Sequence, residues 1–317
     1  MNSPFTLGAL HFGTVTDKKS AHNLMAIACE HQIKRIDTGP YYGNSNSETI
    51  IGAVNTDLKN KFKISTKVGL SPIRDGKGNF KVNIVKLNQH NILESVHQSL
   101  KRLHIECIDT LVLHAFDTES PLEETLEVIN DLIKSGKIRN LGCSNYNPIQ
   151  VRLLIDHCER MNISITHAQT HYNLIERRSE KKFFEICREN RVPVYVNRAL
   201  ARGALTDKYL LSIPSNSRAN FSKRLRNWLD ENKLSLIKDL NQICMGADLN
   251  LSQVALAWIL KRPEIISPIL GVRTQEQLIT CINSQYLNVS EEIFQRLEVI
   301  IFSKYHPYKY PSRYLEK

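Results

Sequence analysis

Four ionisable side chains of different types, Asp37, Tyr42, Lys67 and His114, stand at or just beyond the ends of short β-branched runs. A phenol with an unperturbed pKa near ~10 is a poor acid at neutral pH, and an ammonium beside it lowers that value. Lys67 next to Tyr42 is therefore expected to make the phenol a usable acid. Asp37 would keep Lys67 charged and in place, and His114 would hydrogen-bond a substrate oxygen from the other side. Such a set delivers a proton to a carbonyl oxygen or removes one from an alcohol. It contains no source of electrons, so a hydride has to come from a cofactor. Taken singly, each residue has a bland reading: a structural histidine, a solvated lysine, an aspartate capping a turn. Together they are harder to dismiss, because a buried Asp and Lys are costly unless paired.

These residues lie far apart in the chain and can meet only if the strands carrying them open onto one mouth. Strand-like runs occur near 7–12 and at 32–37, 62–67, 108–114, 138–144, 163–169, 192–197 and 265–270. Between them lie amphipathic segments at 21–31, 48–58, 91–103, 122–135, 148–161, 179–191, 234–245 with 253–261, and 275–282. Leu122, Leu126, Ile129 and Leu132 form the apolar stripe of a helix lying on a sheet. Alternating β and α units with eight strands predict a (β/α)8 TIM barrel, whose chemistry sits at the carboxyl ends of its strands. The long connections 68–90 and 198–233 follow the third and seventh strands, and long loops in compact domains commonly carry function. A last helix, 291–302, leads into a tail holding Tyr305, Tyr308, Tyr310 and Tyr314, which either packs as a surface tail or helps close a pocket. No linker or repeat divides the chain, so residues 1–317 are expected to form a single domain.

The later strands end in groups suited to a carboxamide: Ser144 and Asn145 after the fifth, Gln169 at the sixth. Arg273 opens the helix after the last strand, where charge and helix dipole together suit a phosphate. No G-x-G-x-x-G follows a strand, and Gly76-Lys77-Gly78 lacks the required setting, which argues against a Rossmann domain. The 317 residues are 42% hydrophobic and 23% charged, a globular composition. Lys and Arg total 42 against 32 Asp and Glu, a net charge of +10 that favours an anionic partner: a phosphorylated cofactor, an acidic substrate or nucleic acid. Outside the tail no basic run is interleaved with aromatics, so nucleic acid is not an expected partner. No apolar stretch approaches the ~20 residues of a membrane span, and the seven scattered cysteines lack metal-site spacing. With no leader-like start, a cytoplasmic protein is expected.

Several motifs in register resemble the aldo-keto reductase family along nearly the whole chain. They are Leu7 to Gly13, Ile36 to Gly43 with Ser47, Glu48 and Gly52 following, Ile64 to Gly69, Ser99 to His114, and Gly136-Lys137-Ile138-Arg139-Asn140-Leu141-Gly142-Cys143-Ser144-Asn145-Tyr146. The resemblance implies a barrel that binds NADPH, or NADH, across its mouth, with Asp37, Tyr42, Lys67 and His114 in the roles above. It also implies Ser144, Asn145 and Gln169 as carboxamide partners, Leu200 and Gly203 near the pyrophosphate, and Gly271, Val272, Arg273 and Gln277 on the adenosine 2′-phosphate segment. Asn197 stands where many members carry an aromatic residue against the nicotinamide, and Arg198-Ala199 replaces Ser-Pro. Thr280 and Cys281 replace a Glu-Asn pair near the adenine, and Ala115-Phe116 follows His114 where relatives have Arg-Pro or Trp.

The expected activity is NAD(P)H-dependent reduction of an aldehyde or ketone with Tyr42 as general acid. One alternative is physiological oxidation of a sugar-type hydroxyl, and another is a nucleotide-sensing binding subunit with little turnover. Basic residues Arg74, Lys77, Lys81, Lys86, Arg198 and Arg202 suit a phosphorylated or carboxylated substrate. A protein partner and the assembly state are left open.

Overall fold

The computed structural model describes residues 2–74, 80–210 and 223–308. Eight parallel strands close into a barrel: β1 (Thr6–Gly8), β2 (Arg35–Asp37), β3 (Lys63–Val68), β6 (Ile108–Leu113), β7 (Ile138–Ser144), β8 (Ile165–His171), β9 (Val194–Asn197) and β10 (Ile265–Leu270), which pairs back with β1. The intervening β4 (Leu70–Arg74) and β5 (Phe80–Ile84) form an antiparallel hairpin outside the barrel. Helices α1 (Lys18–Glu30), α2 (Asn46–Gly52), α3 (Thr56–Lys59), α4 (Gln89–Leu103), α5 (Leu122–Lys134), α6 (Pro148–Arg160) and α7 (Phe183–Glu189) surround its first part. The second part is covered by α8 (Lys223–Trp228), α9 (Glu231–Met245), α10 (Leu251–Leu260), α11 (Gln275–Asn283) and α12 (Glu291–Lys304).

Local chemistry sets the element boundaries. Asp17, Asn88 and Asn147 each accept a backbone N–H of the first helical turn, and Asn147 with Gln150 completes a capping box ahead of Pro148. The expected strand 32–37 begins only at Arg35, because Gln32 adopts φ 60° in the turn that leaves α1. The expected helix 48–58 splits in two, since Asn55 caps a new turn by accepting from the Leu58 N–H at 2.8 Å. The long connection 68–90, after the third barrel strand, holds the β4–β5 hairpin rather than an irregular loop. Gly76, Lys77, Gly78, Tyr310 and Tyr314 lie outside the described residues.

Branched aliphatics usually fill the interior of such a barrel. Here part of it is polar. The Arg35 guanidinium donates to Thr6 Oγ1 at 3.2 Å and to the Pro4 carbonyl at 3.3 Å, and lies 5.5 Å from the Tyr195 ring centre. The other ring stacked on Tyr195 is His167, with centres 4.2 Å apart and planes 13° apart. This layer lies below the mouth and fixes which residues of β8 and β9 face inward.

The start of the tail is tied to the loop after β8. The Arg177 N–H donates to the Pro307 carbonyl at 2.8 Å, and its buried guanidinium pairs with Glu298 on α12 at 3.0 Å. The Tyr308 hydroxyl donates to Glu180 at 3.0 Å. Pro307 and Tyr308 thus fasten the start of the tail to the loop after β8.

Helix α2 approaches α4 so closely that no side chain fits at Gly52, where a Cβ would lie 2.0 Å from the Arg102 carbonyl oxygen. The buried Lys59 ammonium donates to the carbonyls of Gly52, Leu103 and His104, each at 3.1 Å, and fastens the same junction. Gly52→Ala should therefore destabilise the protein by about 1–3 kcal/mol through overpacking, although Ala is the better helix former by ~1 kcal/mol. Denaturant unfolding of the variant checks this, and an unchanged or raised midpoint would refute it.

Candidate active site

Strand β2 ends in Asp37 and strand β3 carries Lys67 one residue from its end. Their pairing places Ser65 against Asp37, so both side chains reach the same level inside the barrel. Lys67 Nζ donates to Asp37 Oδ2 and to the Thr38 carbonyl, each at 2.6 Å, with both side chains almost wholly buried. Two of the three ammonium protons are thereby used. The ammonium lies over the Tyr42 ring, 4.6 Å from its centre. The ring of His114, just beyond β6, lies 6.1 Å from that of Tyr42, edge to face. The four residues singled out in the sequence do meet at the carboxyl ends of the strands.

The electrostatics of the phenol differ from the expectation. Tyr42 is pushed well above its ordinary value, first by burial, then by the negative charge of Asp37, while Arg198 pulls the other way. The anticipated lowering by Lys67 does not prevail: burial acts first, and the carboxylate that holds the lysine also raises the phenol. Lys67 itself is lowered by burial, against the raising effects of Asp37 and Glu48. His114 is pushed well below 6.5 by burial and by the charge of Lys67, so its imidazole is neutral at neutral pH.

The carboxamide-type residues adjoin this group. Asn145 Nδ2 donates to the His114 carbonyl at 2.8 Å and to Ser144 Oγ at 3.2 Å, from a left-handed backbone at φ 62° that Asn tolerates. Across the barrel, Gln169 Nε2 donates to Asp37 Oδ1 at 2.8 Å. With these amide nitrogens engaged, Asn145 and Gln169 offer oxygens, and the Ser144 hydroxyl retains a proton to donate. Two acceptors and one donor match a primary carboxamide, which has two N–H groups and one carbonyl. The residues present therefore fit a nicotinamide.

The remaining predicted residues lie at or after the ends of β9 and β10. Asn197 ends β9 and its Oδ1 accepts from His171 Nδ1. Leu200 precedes a turn with three successive left-handed residues, Ala201, Arg202 and Gly203. Gly271 and Val272 follow β10, and a Cβ on Gly271 would lie 4.0 Å from His11 Nε2. The Arg273 N–H donates to Gln277 Oε1 at 2.9 Å, which commits that amide oxygen locally.

Three further groups support the site: Glu48, quoted in the sequence only as part of a motif, and His167 and His171, to which residue types assigned no role. Glu48 is fully buried, accepts from the Thr66 hydroxyl and pairs with Arg102 at 2.7 Å, bracing β3 from outside. His167 touches Gln169 inside the barrel, and His171 packs against Asn197. The adjacency of Glu48 to the Asp37–Gly43 motif was the available signal for the first. A cavity of about 710 Å³ opens at the other end of the barrel, beside Lys34, Lys63, Asp109 and Arg139, far from this chemistry. Among the described residues no His, Cys, Asp and Glu group could hold a metal, and no helix is long and apolar enough to cross a membrane.

An eight-stranded parallel barrel with a buried Asp–Lys pair, a phenol and a neutral imidazole at its mouth defines a class of nicotinamide-dependent oxidoreductase. Residues 4–301 match the aldo/keto reductase family, and the chain belongs to it. It is 31% identical to the NADH-specific methylglyoxal reductase of Escherichia coli (strain K12), covering 82% of this chain and 80% of that protein. It is 29% identical to the L-glyceraldehyde 3-phosphate reductase of the same organism, covering 86% and 81%. The solved glycerol dehydrogenase of Gluconobacter oxydans superposes with a TM-score of 0.80 at 25% identity, covering 98% of this chain and 94% of that one. Like other members, this chain is an NAD(P)H-dependent oxidoreductase that interconverts carbonyls and alcohols.

The buried imidazoles make stability depend on pH. His167 is held down to about 4 by burial, against an ordinary 6.5. Between these values the unfolded chain binds a proton that the native chain does not, so stability falls as pH drops from about 6.5 and stops falling through this group near 4. The slope is roughly 1.4 kcal/mol per pH unit for each such imidazole. Urea unfolding at pH 7, 6 and 5 should show this loss, with a shallower slope in His167→Leu. Equal slopes would mean that His167 is not neutral in the native state.

Proposed function

We propose that this reductase converts an aldehyde or ketone to the alcohol using NADPH, with Tyr42 as general acid. The observation that supports this most is the buried Asp37–Lys67 pair beneath the Tyr42 ring, with neutral His114 beside it. The bound dinucleotide supplies the hydride. Tyr42, kept protonated by burial and by Asp37, donates its proton to the carbonyl oxygen as negative charge develops there. Lys67 stabilises the phenolate that remains, and Asp37 and the Thr38 carbonyl hold that ammonium in position. His114 orients the carbonyl by an N–H donation that brings no charge of its own. The same groups in reverse oxidise an alcohol, so both directions belong to one mechanism.

Ser144, Asn145 and Gln169 would hold the nicotinamide carboxamide, with Leu200 and Gly203 near the pyrophosphate and Arg273 near a 2′-phosphate. Asn197 would line the nicotinamide pocket, and Gly271, Val272 and Gln277 the adenosine end. The substrate is a small molecule, and an anionic carbonyl suits the charge of Arg198, which is felt at Tyr42. The relative that acts on L-glyceraldehyde 3-phosphate supports that choice. A cytoplasmic setting accords with seven free cysteines.

Tyr42→Phe should lower kcat at least about a hundredfold while leaving NADPH affinity within twofold. The assay follows oxidation of NADPH or NADH with methylglyoxal, phosphorylated aldehydes and keto-sugars, and wild-type turnover in the variant would remove Tyr42 from the mechanism. A panel without turnover, together with tight NADPH binding, would favour the sensing subunit. Arg273→Ala should weaken NADPH by about tenfold or more, the scale of a hydrogen bond to a charged group, and leave NADH unchanged. Equal effects on both dinucleotides in binding titrations would move the 2′-phosphate contact elsewhere.

A further inference from the structure

Inside the barrel, directly below the proposed nicotinamide site, lies a histidine that the mechanism does not use. His167 is buried on β8 two residues before Gln169, so the two side chains point inward on the same face of the strand. Gln169 Nε2 lies 3.2 Å from His167 Nε2 and 2.8 Å from Asp37 Oδ1. A primary amide nitrogen has two hydrogens, and each here faces one acceptor.

We propose that His167 is a positioning residue for the cofactor: by accepting the second N–H of Gln169 it locks that amide with its oxygen as the only group left to receive a nicotinamide carboxamide. The inference rests on the reductase reading above and assigns a role to a residue of this chain that does not touch the dinucleotide.

The geometry gives His167 the required tautomer. Nε2 can accept only if the ring proton is on Nδ1, where Thr166 Oγ1 lies at 3.5 Å and can accept, its own hydroxyl hydrogen being donated to the Leu141 carbonyl at 3.1 Å. A protonated ring would set N–H against N–H, and burial keeps the imidazole neutral down to about pH 4. The ring is held flat against Tyr195, whose centre also lies 5.5 Å from the Arg35 guanidinium. On the adjoining strand β7, Gly142 makes the space, since a Cβ there would come 3.3 Å from both His167 Cε1 and Nε2.

An unlocked Gln169 loses this bias. Asp37 still takes one N–H, but the second is left without an acceptor in a buried place, and the amide is no longer fixed about its terminal bond. The penalty falls on binding the nicotinamide end and spares the adenosine end.

The test measures dissociation constants by intrinsic fluorescence for wild type, His167→Leu, His167→Phe and His167→Gln. The probes are NADPH and phosphoadenosine diphosphoribose, which lacks only the nicotinamide. Leu and Phe remove the acceptor, and Phe keeps a ring against Tyr195, so the test survives if one of the two fails to fold. Gln restores an acceptor near Nε2. The expected result is a roughly 3- to 10-fold weaker NADPH affinity in the Leu and Phe variants, the scale of one neutral hydrogen bond. Affinity for the nicotinamide-free probe should stay unchanged, and the Gln variant should lie within twofold of wild type for both. Unchanged NADPH binding in a folded Leu or Phe variant, or equal weakening of both probes, would overturn the inference. Failure of the wild type to bind either probe would bring down the dinucleotide reading itself.

Discussion

A single carboxylate organises the mouth of this barrel. Asp37 is nearly inaccessible, and it takes the Lys67 ammonium on one oxygen and the Gln169 amide on the other. Its charge reaches the phenol of Tyr42 and the imidazole of His167. A buried carboxylate is tolerated only when its lone pairs are filled, and filling them here requires β2, β3 and β8 to end at one level. The hydrogen bond from Gln169 crosses 132 residues of sequence and the interior of the barrel. Removing the carboxylate would leave the lysine buried without its partner, a loss of about 3–5 kcal/mol. The group that positions the chemistry thus also helps to specify the closure.

Burial pulls the Lys67 ammonium down, and charge on more than one carboxylate works against it. Asp37 supplies the larger opposing effect, and a second carboxylate adds further support. Glu48 gives it from the outer face of β3: it is held by Arg102 and the Thr66 hydroxyl, and it raises Lys67 alongside Asp37. The tight junction at Gly52 and Lys59 sets where α2 carries Glu48. Packing outside the barrel therefore bears on proton chemistry inside it.

The barrel was legible because its eight apolar runs alternate with amphipathic segments, and the reactive side chains fall at the ends of those runs. Boundaries were less so. Where a strand or helix is trimmed, as at Gln32 or Asn55, a single residue's backbone or side chain decides against the periodicity. The hairpin at β4–β5 was hidden in a segment read only as long. Residue types also gave the identities of the quartet but not the balance of forces on it. The ammonium of Lys67 was expected to govern the phenol, whereas burial and Asp37 do, and burial is a property of the assembled mouth that no local stretch encodes. Glu48, quoted only as part of a motif, and His167 were given no role for a related reason: their value lies in the bonds they make to Thr66, Arg102 and Gln169, on other elements or two residues away on the same strand.

The departures from the family pattern at Asn197 and Arg198 fall at the end of β9, and the bonding there explains how they are tolerated. Asn197 bonds to His171 on the neighbouring strand, and neither bonds to the Asp37–Lys67 pair. The loop that follows passes through four left-handed non-glycine or glycine positions, Arg198, Ala201, Arg202 and Gly203. Conformations of this kind persist only when their surroundings fix them. Here Asn173 donates to the Arg198 carbonyl at 3.1 Å, Glu176 pairs with Arg202 at 3.5 Å, and the Arg202 guanidinium lies 5.1 Å from the centre of Trp228. Tyr305, at the start of the tail, feels the charge of Glu176. The loops after β8 and β9 and the tail thus brace one another as a unit, linked to the proton-handling side through Gln169 and the field of Arg198. A change of side chain at Asn197 or Arg198 can alter what is bound without disturbing how Lys67 is held, which is why an unfamiliar pocket wall and an intact quartet coexist in one barrel.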